Sequence, residues 1–353
     1  MKVLITGAAG FVGSKMVEYL YSTNPGIILI GIDNLSRKGS EFNLTKLEDF
    51  NCEFIKGDIS VQQDIDALPK VDWIIDCAAN ASVLAGLNND SLRLINDNLT
   101  GTYYLLEKCK RDSAGFIMLS TSRVYGIDAL NTIALRENEH HFSIDDKVNF
   151  QQGFSLKGVN EKFSTTSPVS LYGATKLASE VLALEYHYTF GFPVWINRCG
   201  VIAGAGQFGK IDQGIFSFWI YQYLLNNPLS FIGFGGKGKQ VRDMVHPYDV
   251  FQLIQKQIAV SDKKIQRIVN IGGGIENAYS LLQLDQYCKK NINPNKQVSN
   301  IAENRNFDIP LYITDYSLAT SLWNWAPSFN ANQILEEILF YAQSNLEHIK
   351  QIS

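Results

Sequence analysis

The sequence predicts an α/β fold: a doubly wound parallel sheet with a smaller, interleaved C-terminal lobe. Short continuous apolar runs alternate with amphipathic stretches through the first two thirds of the chain, the pattern of buried parallel strands joined by crossover helices. The first of these runs leads directly into a glycine-rich loop. A length of 353 residues, 46% hydrophobic and 19% charged, is enough for two domains or one large domain with an appended lobe. The first domain is expected over residues 1–200, with part of 241–275 returning to it, and the second lobe mainly over 201–353.

Taken in order, strands are expected at Val3–Thr6, Ile27–Ile32, Cys52–Lys56, Trp73–Cys77, Phe116–Ser120, Val194–Asn197 and Ile268–Ile271. The clearest helices run from Ser91 to Lys110 and from Tyr172 to Phe190, the latter with Leu177, Val181, Leu184 and Tyr188 on one face. Residues 127–170 are polar, weakly periodic and long for a connector, which predicts a functional loop with a mobile tip rather than a regular element. The stretch Phe231–Gly238 and a helical tail from Gln333 to Ile349 belong to the second lobe, and Trp323 and Trp325 read as packing residues.

Composition narrows the partners. Lys+Arg 31 against Asp+Glu 35 gives a net charge of -4 with no basic block, so neither nucleic acid nor an anionic membrane is expected and a small-molecule substrate is. Cys52, Cys77, Cys109, Cys199 and Cys288 are scattered and never in a CxxC pair, which argues for reduced thiols. His140, His141, His187, His246 and His348 show no HxxxH or HxH spacing, so no metal site is expected. His246 reads equally as a structural histidine or as one that orients a phosphate site. No apolar run reaches the roughly 18 residues of a membrane span, and the opening run is too short for a signal peptide, which predicts a cytoplasmic protein.

Gly7-Ala8-Ala9-Gly10-Phe11-Val12-Gly13 follows the first strand and opens a helix. Glycines at this spacing allow a tight turn, close approach of a pyrophosphate to backbone N–H groups and close packing of helix on strand. Asp33 ends the second strand, 20 residues beyond Gly13, where a carboxylate accepts from ribose hydroxyls and repels a 2′-phosphate. The cofactor is therefore expected to be NAD, bound on a Rossmann-type sheet. Asn34, Ser36 and Arg37 follow Asp33, Asp58-Ile59 follows the third strand, and Ala78-Ala79-Asn80 follows the fourth. All fall at the sheet edge where open α/β sheets bind ligands. Gly7, Gly10, Phe11, Val12, Gly13, Asp33, Asn34, Ser36, Arg37, Asp58, Ile59, Ala78 and Ala79 are thus cofactor candidates, joined by Asn98, and Asn80 is a substrate candidate.

Tyr172-Gly173-Ala174-Thr175-Lys176 sets a phenol and an ammonium one helical turn apart on one face. A free phenol titrates near 10, so its use as a base near neutrality requires roughly 4 kcal/mol of phenolate stabilisation, which a neighbouring Lys and a nicotinamide ring can supply. Ser120-Thr121-Ser122 ends the fifth strand and adds hydroxyls.

These motifs, with Asn98 in Asn98-Leu99-Thr100-Gly101-Thr102 and the run Gln240-Val241-Arg242-Asp243, resemble the extended short-chain dehydrogenase/reductases of the nucleotide-sugar epimerase and dehydratase group over nearly the whole chain. The resemblance implies Thr121, Tyr172 and Lys176 as the catalytic set, Tyr172 and Lys176 also meeting NAD, and Asn98 as a structural and proton-relay residue. It implies a diphosphate held by Arg242 and by Arg305 in Arg305-Asn306-Phe307-Asp308, with Arg123 and Gln207 also facing substrate. Dehydratases of the group carry an Asp-Glu pair directly after the Thr, where this chain has Ser122 and Arg123. Asp33-Asn34-Leu35-Ser36, Asp212-Gln213-Gly214, Gly236-Lys237-Gly238-Lys239 and Asn270-Ile271-Gly272-Gly273-Gly274 are most similar to the 2-epimerases of CDP-linked 3,6-dideoxyhexoses. That likeness implies a CDP-sugar substrate and a surface-glycan pathway such as lipopolysaccharide synthesis. The group also implies a homodimer through the helices near Ser91–Lys110 and Tyr172–Phe190. A UDP-hexose 4-epimerase, another nucleotide-sugar oxidoreductase, and a non-catalytic NAD-binding sensor or scaffold are the alternative readings.

Overall fold

The computed structural model describes residues 1–87, 90–147, 149–211, 213–260 and 265–352. Asp212, which opens one of the motifs above, lies outside them.

Seven strands make the central parallel sheet. They are β1 (Lys2–Thr6), β2 (Ile28–Asp33), β3 (Cys52–Lys56), β4 (Trp73–Asp76), β5 (Gly115–Thr121), β6 (Val194–Cys199) and β7 (Ile268–Ile271), in the spatial order β7-β6-β5-β4-β1-β2-β3. Their apolar runs are continuous because both faces are covered: Val3, Leu4 and Ile5 of β1 are all fully buried. β1 pairs with β2 on one side and β4 on the other, Val3 standing opposite both Leu29 and Trp73. The chain therefore reverses its direction of travel at β1, and the C-terminal ends of β1 and β4 flank the crevice where such sheets take ligands.

Three helices matter for the site: α1 (Phe11–Thr23), α2 (Gly101–Asp112) and α3 (Ser170–Phe190). The expected single helix from Ser91 is interrupted. One α-turn at Ser91–Ile95 passes into a π-turn at Asn96–Thr100 before α2 begins. A π-turn admits one extra residue, which apolar periodicity does not register.

On α3 the expected apolar stripe is divided: Leu177 and Leu184 are half-buried, Leu184 against the core of the unit, while its other two members face outward. Val181 is 54% and Tyr188 72% exposed, whereas Tyr172, Thr175, Lys176, Ser179, Glu180 and His187 are buried. This helix turns polar side chains inward because they have hydrogen-bonding work there, described below.

The chain divides into two compact units: Met1–Val124 with Leu171–Arg198 and Val250–Val269, and Tyr125–Ser170 with Cys199–Asp249 and Asn270–Ser353. Within the second, a strand at Val241–Val245 pairs with Val201–Ile202, Ala278–Ser280 and Leu311–Tyr312. Trp219 and Ile220, on the helix Ile215–Leu224, share its core with Ile334, Leu335 and Ile338 of the helix Ala331–Ser344.

The segment expected as an irregular loop also lies in this second unit and contains two short hairpins, Leu135–Glu137 with Phe142–Ile144 and Phe154–Ser155 with Gly158–Val159. Phe142 N–H donates to the Lys239 carbonyl (3.0 Å) and Val159 N–H to that of Ile313 (2.8 Å). Partners so far away in sequence leave no local periodicity to read. Trp323 and Trp325 are buried, as are all the cysteines except the partly exposed Cys77, and all five are free thiols. No helix among the described residues is long and apolar enough to cross a membrane.

Candidate active site

The glycine loop is shaped by close contacts. Gly7 has φ +60°, and a Cβ there would lie 3.0 Å from Ala78 Cα. A Cβ on Gly13 would lie 2.1 Å from the Gly7 carbonyl oxygen. Neither position tolerates a side chain without backbone movement. α1 starts at Phe11 with Gly10 as N-cap and no side-chain cap, so the N–H groups of a 13-residue helix open toward whatever occupies the crevice. Phe11 and Gly13 are buried and Val12 half-buried.

Asp33 sits at the end of β2, half-buried, and accepts from Ala9 N–H (3.1 Å) and Leu35 N–H (2.8 Å). Burial pushes its carboxyl up from the ordinary aspartate range, against the lowering effect of these N–H groups. It thus ties the glycine loop to the strand end. Asn34 reaches across to Asp58, its Nδ2 donating to Oδ2 at 2.8 Å, while its Oδ1 accepts from Ser36 N–H. Partial burial works to raise the Asp58 carboxyl, but bonds from Asn34 and Ser60 prevail and hold it below its ordinary value. Arg37 is half-buried in the same turn, its carbonyl accepting from Ser40. Ile59 packs in the core of this unit, 8% exposed.

The turn after β4 is fixed by Thr6. Its hydroxyl donates to Asp76 (2.7 Å) and accepts from the N–H groups of Cys77 and Ala78, both at 3.1 Å. Ala78 is half-buried and Ala79 exposed. Asn80 then exchanges bonds with Asn98: Asn80 N–H donates to Oδ1 (2.8 Å), and Asn98 Nδ2 donates to the Asn80 carbonyl (3.2 Å) and to Thr175 Oγ1 (3.1 Å). Thr175 in turn donates to the Tyr172 carbonyl at 2.8 Å. The π-turn thus points one buried amide at both the crevice turn and the first turn of α3.

Tyr172 and Lys176 are 6% and 1% exposed. The Lys176 ammonium acts electrostatically on Asp76 at the end of β4, whose carboxyl burial raises and Lys176 opposes. Thr121 closes β5 and accepts from Arg123 N–H at 3.1 Å. Beneath this set, Ser120 Oγ donates to Glu180 (2.5 Å), which also receives the Arg198 guanidinium through Nε (3.1 Å) and Nη2 (2.6 Å). Glu180, 1% exposed, escaped the motif reading, although its spacing of four from Lys176 and eight from Tyr172 marks it as facing the same way.

Gln207, Arg242 and Arg305 lie in the second unit. Arg242 donates to the carbonyls of Val241 (2.7 Å) and Ile309 (2.8 Å), and Arg305 pairs with Asp308 at 3.4 Å, so both guanidinium groups address one loop. Gln207 Nε2 donates to the Ile202 carbonyl and its Oε1 accepts from Ser217, which braces its own segment. His246 stacks on Phe329 at 4.0 Å, with Nε2 2.8 Å from Glu337. Among the described residues, no group of three His, Cys, Asp or Glu side chains is arranged to hold a metal ion.

The first-unit residues fit NAD. An uncapped helix N-terminus behind a loop that excludes Cβ atoms suits a pyrophosphate, and a carboxylate at the β2 end suits ribose hydroxyls. Comparison with known proteins agrees. The sequence model of the NAD dependent epimerase/dehydratase family matches residues 3–272. The chain is 30% identical to CDP-paratose 2-epimerase of Salmonella typhi, with 98% of this chain and 100% of that protein covered. It is 29% identical to UDP-glucuronate 4-epimerase of Thermodesulfobacterium geofontis, with 99% and 98% covered. In structure it is similar to UDP-glucuronic acid 4-epimerase from Bacillus cereus, solved with UDP-glucuronic acid and NAD, at a TM-score of 0.77 and 26% identity with both chains fully covered.

Proposed function

Because this chain belongs to the NAD dependent epimerase/dehydratase family, we propose that it is a nucleotide-sugar 2-epimerase whose substrate is a CDP-linked 3,6-dideoxyhexose. In this reading the first unit binds NAD and the second the nucleotide sugar. Full-length similarity to CDP-paratose 2-epimerase favours the C2 position and the CDP base. The observation that carries epimerisation over elimination is the pair Ser122 and Arg123 after Thr121. Removing water from a sugar needs an acid and a base beside the reacting carbons, and neither residue that follows Thr121 is a carboxylate.

Tyr172 takes the proton from the sugar hydroxyl as that carbon is oxidised, and returns it after the ring has turned over. Lys176 stabilises the phenolate, and Thr121 donates a hydrogen bond to the sugar oxygen. Bound NAD supplies the acceptor and donor of the hydride. Gly7, Gly10, Gly13, Asp33 and the turn at Ala78 would hold it, and Arg242 and Arg305 would fork onto the diphosphate. The arrangement is redox-neutral overall, so the cofactor stays with the protein through the cycle.

A second copy of the chain is the partner that suits α3. Its outward apolar residues Val181 and Tyr188 share the first unit with Leu92, Ile95 and Tyr103, all more than 40% exposed. Exposed apolar side chains on these helices are the observation that supports pairing with a second copy.

The similarity to UDP-glucuronate 4-epimerase supports a second reading, in which the sugar is UDP-linked and the reacting carbon is C4. A proton NMR time course with catalytic NAD separates the two. With CDP-paratose the expected result is new C1 and C2 signals of the C2 epimer without net NADH. Turnover of UDP-glucuronic acid instead would move the assignment to C4. A protein that holds NAD yet turns over neither sugar overturns both and favours a binding protein.

A further inference from the structure

Ser120 and Glu180 lie at two sensitive places. Ser120 directly precedes Thr121 on β5, and Glu180 stands one turn beyond Lys176 on α3. Their 2.5 Å hydrogen bond is a direct side-chain link between the strand end that carries the hydroxyl and the helix that carries the phenol and ammonium. Both are shielded from water, at 5% and 1% exposure.

Arg198 on β6, itself 5% exposed, holds the carboxylate with both Nε and Nη2, so Glu180 is fixed from β5 and β6 at once. A fork of this kind sets direction as well as distance. A buried carboxylate and guanidinium in such geometry contribute little net stability over apolar packing of equal volume. Their presence at this place is better explained by what they orient.

Resting on the assignment of Tyr172 as the base, we propose that Ser120, Glu180 and Arg198 form a positioning strut that sets α3 against β5. The strut thereby fixes the Tyr172 hydroxyl relative to Thr121 and the nicotinamide site. None of the three touches substrate, so their effect passes through the placement of Tyr172. Rates fall steeply when reacting groups are misplaced by even about 1 Å, which gives a hydrogen bond at this location leverage beyond its own strength.

Arg198 on β6 is the charged partner of Glu180, and Lys176 on the same helix acts on Asp76 at the end of β4. None is altered by Ser120→Ala, which removes only the hydroxyl link and leaves the Glu180–Arg198 pair intact. Glu180→Gln is the stronger variant, but it strands a buried guanidinium and risks unfolding. The test is therefore made on the NAD-loaded protein with Ser120→Ala.

The Tyr172 phenolate is titrated by ultraviolet difference absorbance against Tyr172→Phe, which needs no substrate, and melting is followed in parallel. Wild type is expected to titrate well below 10. Ser120→Ala should titrate about one pH unit higher with a melting temperature within a few degrees of wild type, and Ser120→Thr, which keeps the hydroxyl, should recover the lower midpoint. On the sugar that wild type turns over, kcat should fall about tenfold at unchanged KM. A Ser120→Ala midpoint equal to wild type overturns the strut and leaves Tyr172 as base. A wild-type phenol that titrates near 10 overturns the base assignment and the strut with it.

Discussion

Thr6, Asn98 and Glu180 in the first unit each fix a backbone turn or strand end with several hydrogen bonds, whereas Arg242 and Arg305 in the second hold carbonyls and a carboxylate of one loop. The first arrangement is rigid and finished before any ligand arrives. In the second, Arg242 rests on two neutral carbonyls, which an anionic diphosphate can replace with a bidentate ion pair, and Arg305 rests on a long 3.4 Å contact with Asp308. The contrast matches the proposed division, with the chemistry on the preformed side and recognition on the exchangeable one.

The largest expected effect breaks the preformed side alone. Tyr172→Phe should lower kcat by about a thousandfold while the purified protein still carries NAD, seen as turnover against the cofactor released on denaturation. Gly13→Ala comes next. Its Cβ would press to within 2.1 Å of the Gly7 carbonyl, so the loop must shift and NAD affinity should drop by tenfold or more, on the order of 1.4 kcal/mol, measured by calorimetry. A Gly13→Ala variant that binds NAD normally would mean that the loop is not the pyrophosphate cradle.

On the exchangeable side, Arg242→Ala and Arg305→Ala should each raise KM about tenfold, the worth of one charge-assisted contact, with kcat and bound NAD nearly unchanged. A fall in kcat at constant KM would erase the distinction between the two regions. The smallest effect is a pH dependence. Bonds from Asn34 and Ser60 hold the Asp58 carboxyl below its unfolded value near 3.8. Its contribution is therefore present above that pH and is lost as pH falls toward the folded value. With Asp58 only partly buried, Asp58→Asn should cost less than about 1 kcal/mol at neutral pH, and its melting curve should converge on that of wild type only as pH falls below 3.8 toward the lower folded value.

What the sequence revealed follows the same division. Strands buried on both faces are continuous apolar runs, so the central ones could be read directly, whereas β3 at the sheet edge reads Cys-Glu-Phe-Ile-Lys with only Cys52 buried. The glycine loop, Asp33 and the Tyr172–Lys176 pair are local in the chain and carry their geometry in their spacing. Asn98 was legible as a residue but not as a π-turn, because one inserted position does not disturb an apolar count. Part of the α3 stripe misleads in the other direction: Val181 and Tyr188 look like core yet are exposed, whereas Leu184 packs inward and Lys176 and Glu180 are buried. The two hairpins between residues 127 and 170 depend on partners more than 90 positions away, such as Lys239 for Phe142. Arg242 and Arg305 meet the same loop through contacts that no spacing announces.

In the proposed cycle one carbon is oxidised and then reduced again by the same hydride while Tyr172 carries the hydroxyl proton. This is tested most directly with a sugar nucleotide deuterated at the epimerised carbon, incubated in ordinary water and followed by NMR and mass spectrometry. Full retention of deuterium at that carbon in the epimer is the predicted result. Loss of the label to solvent would mean that the carbon is deprotonated instead, and would contradict the account.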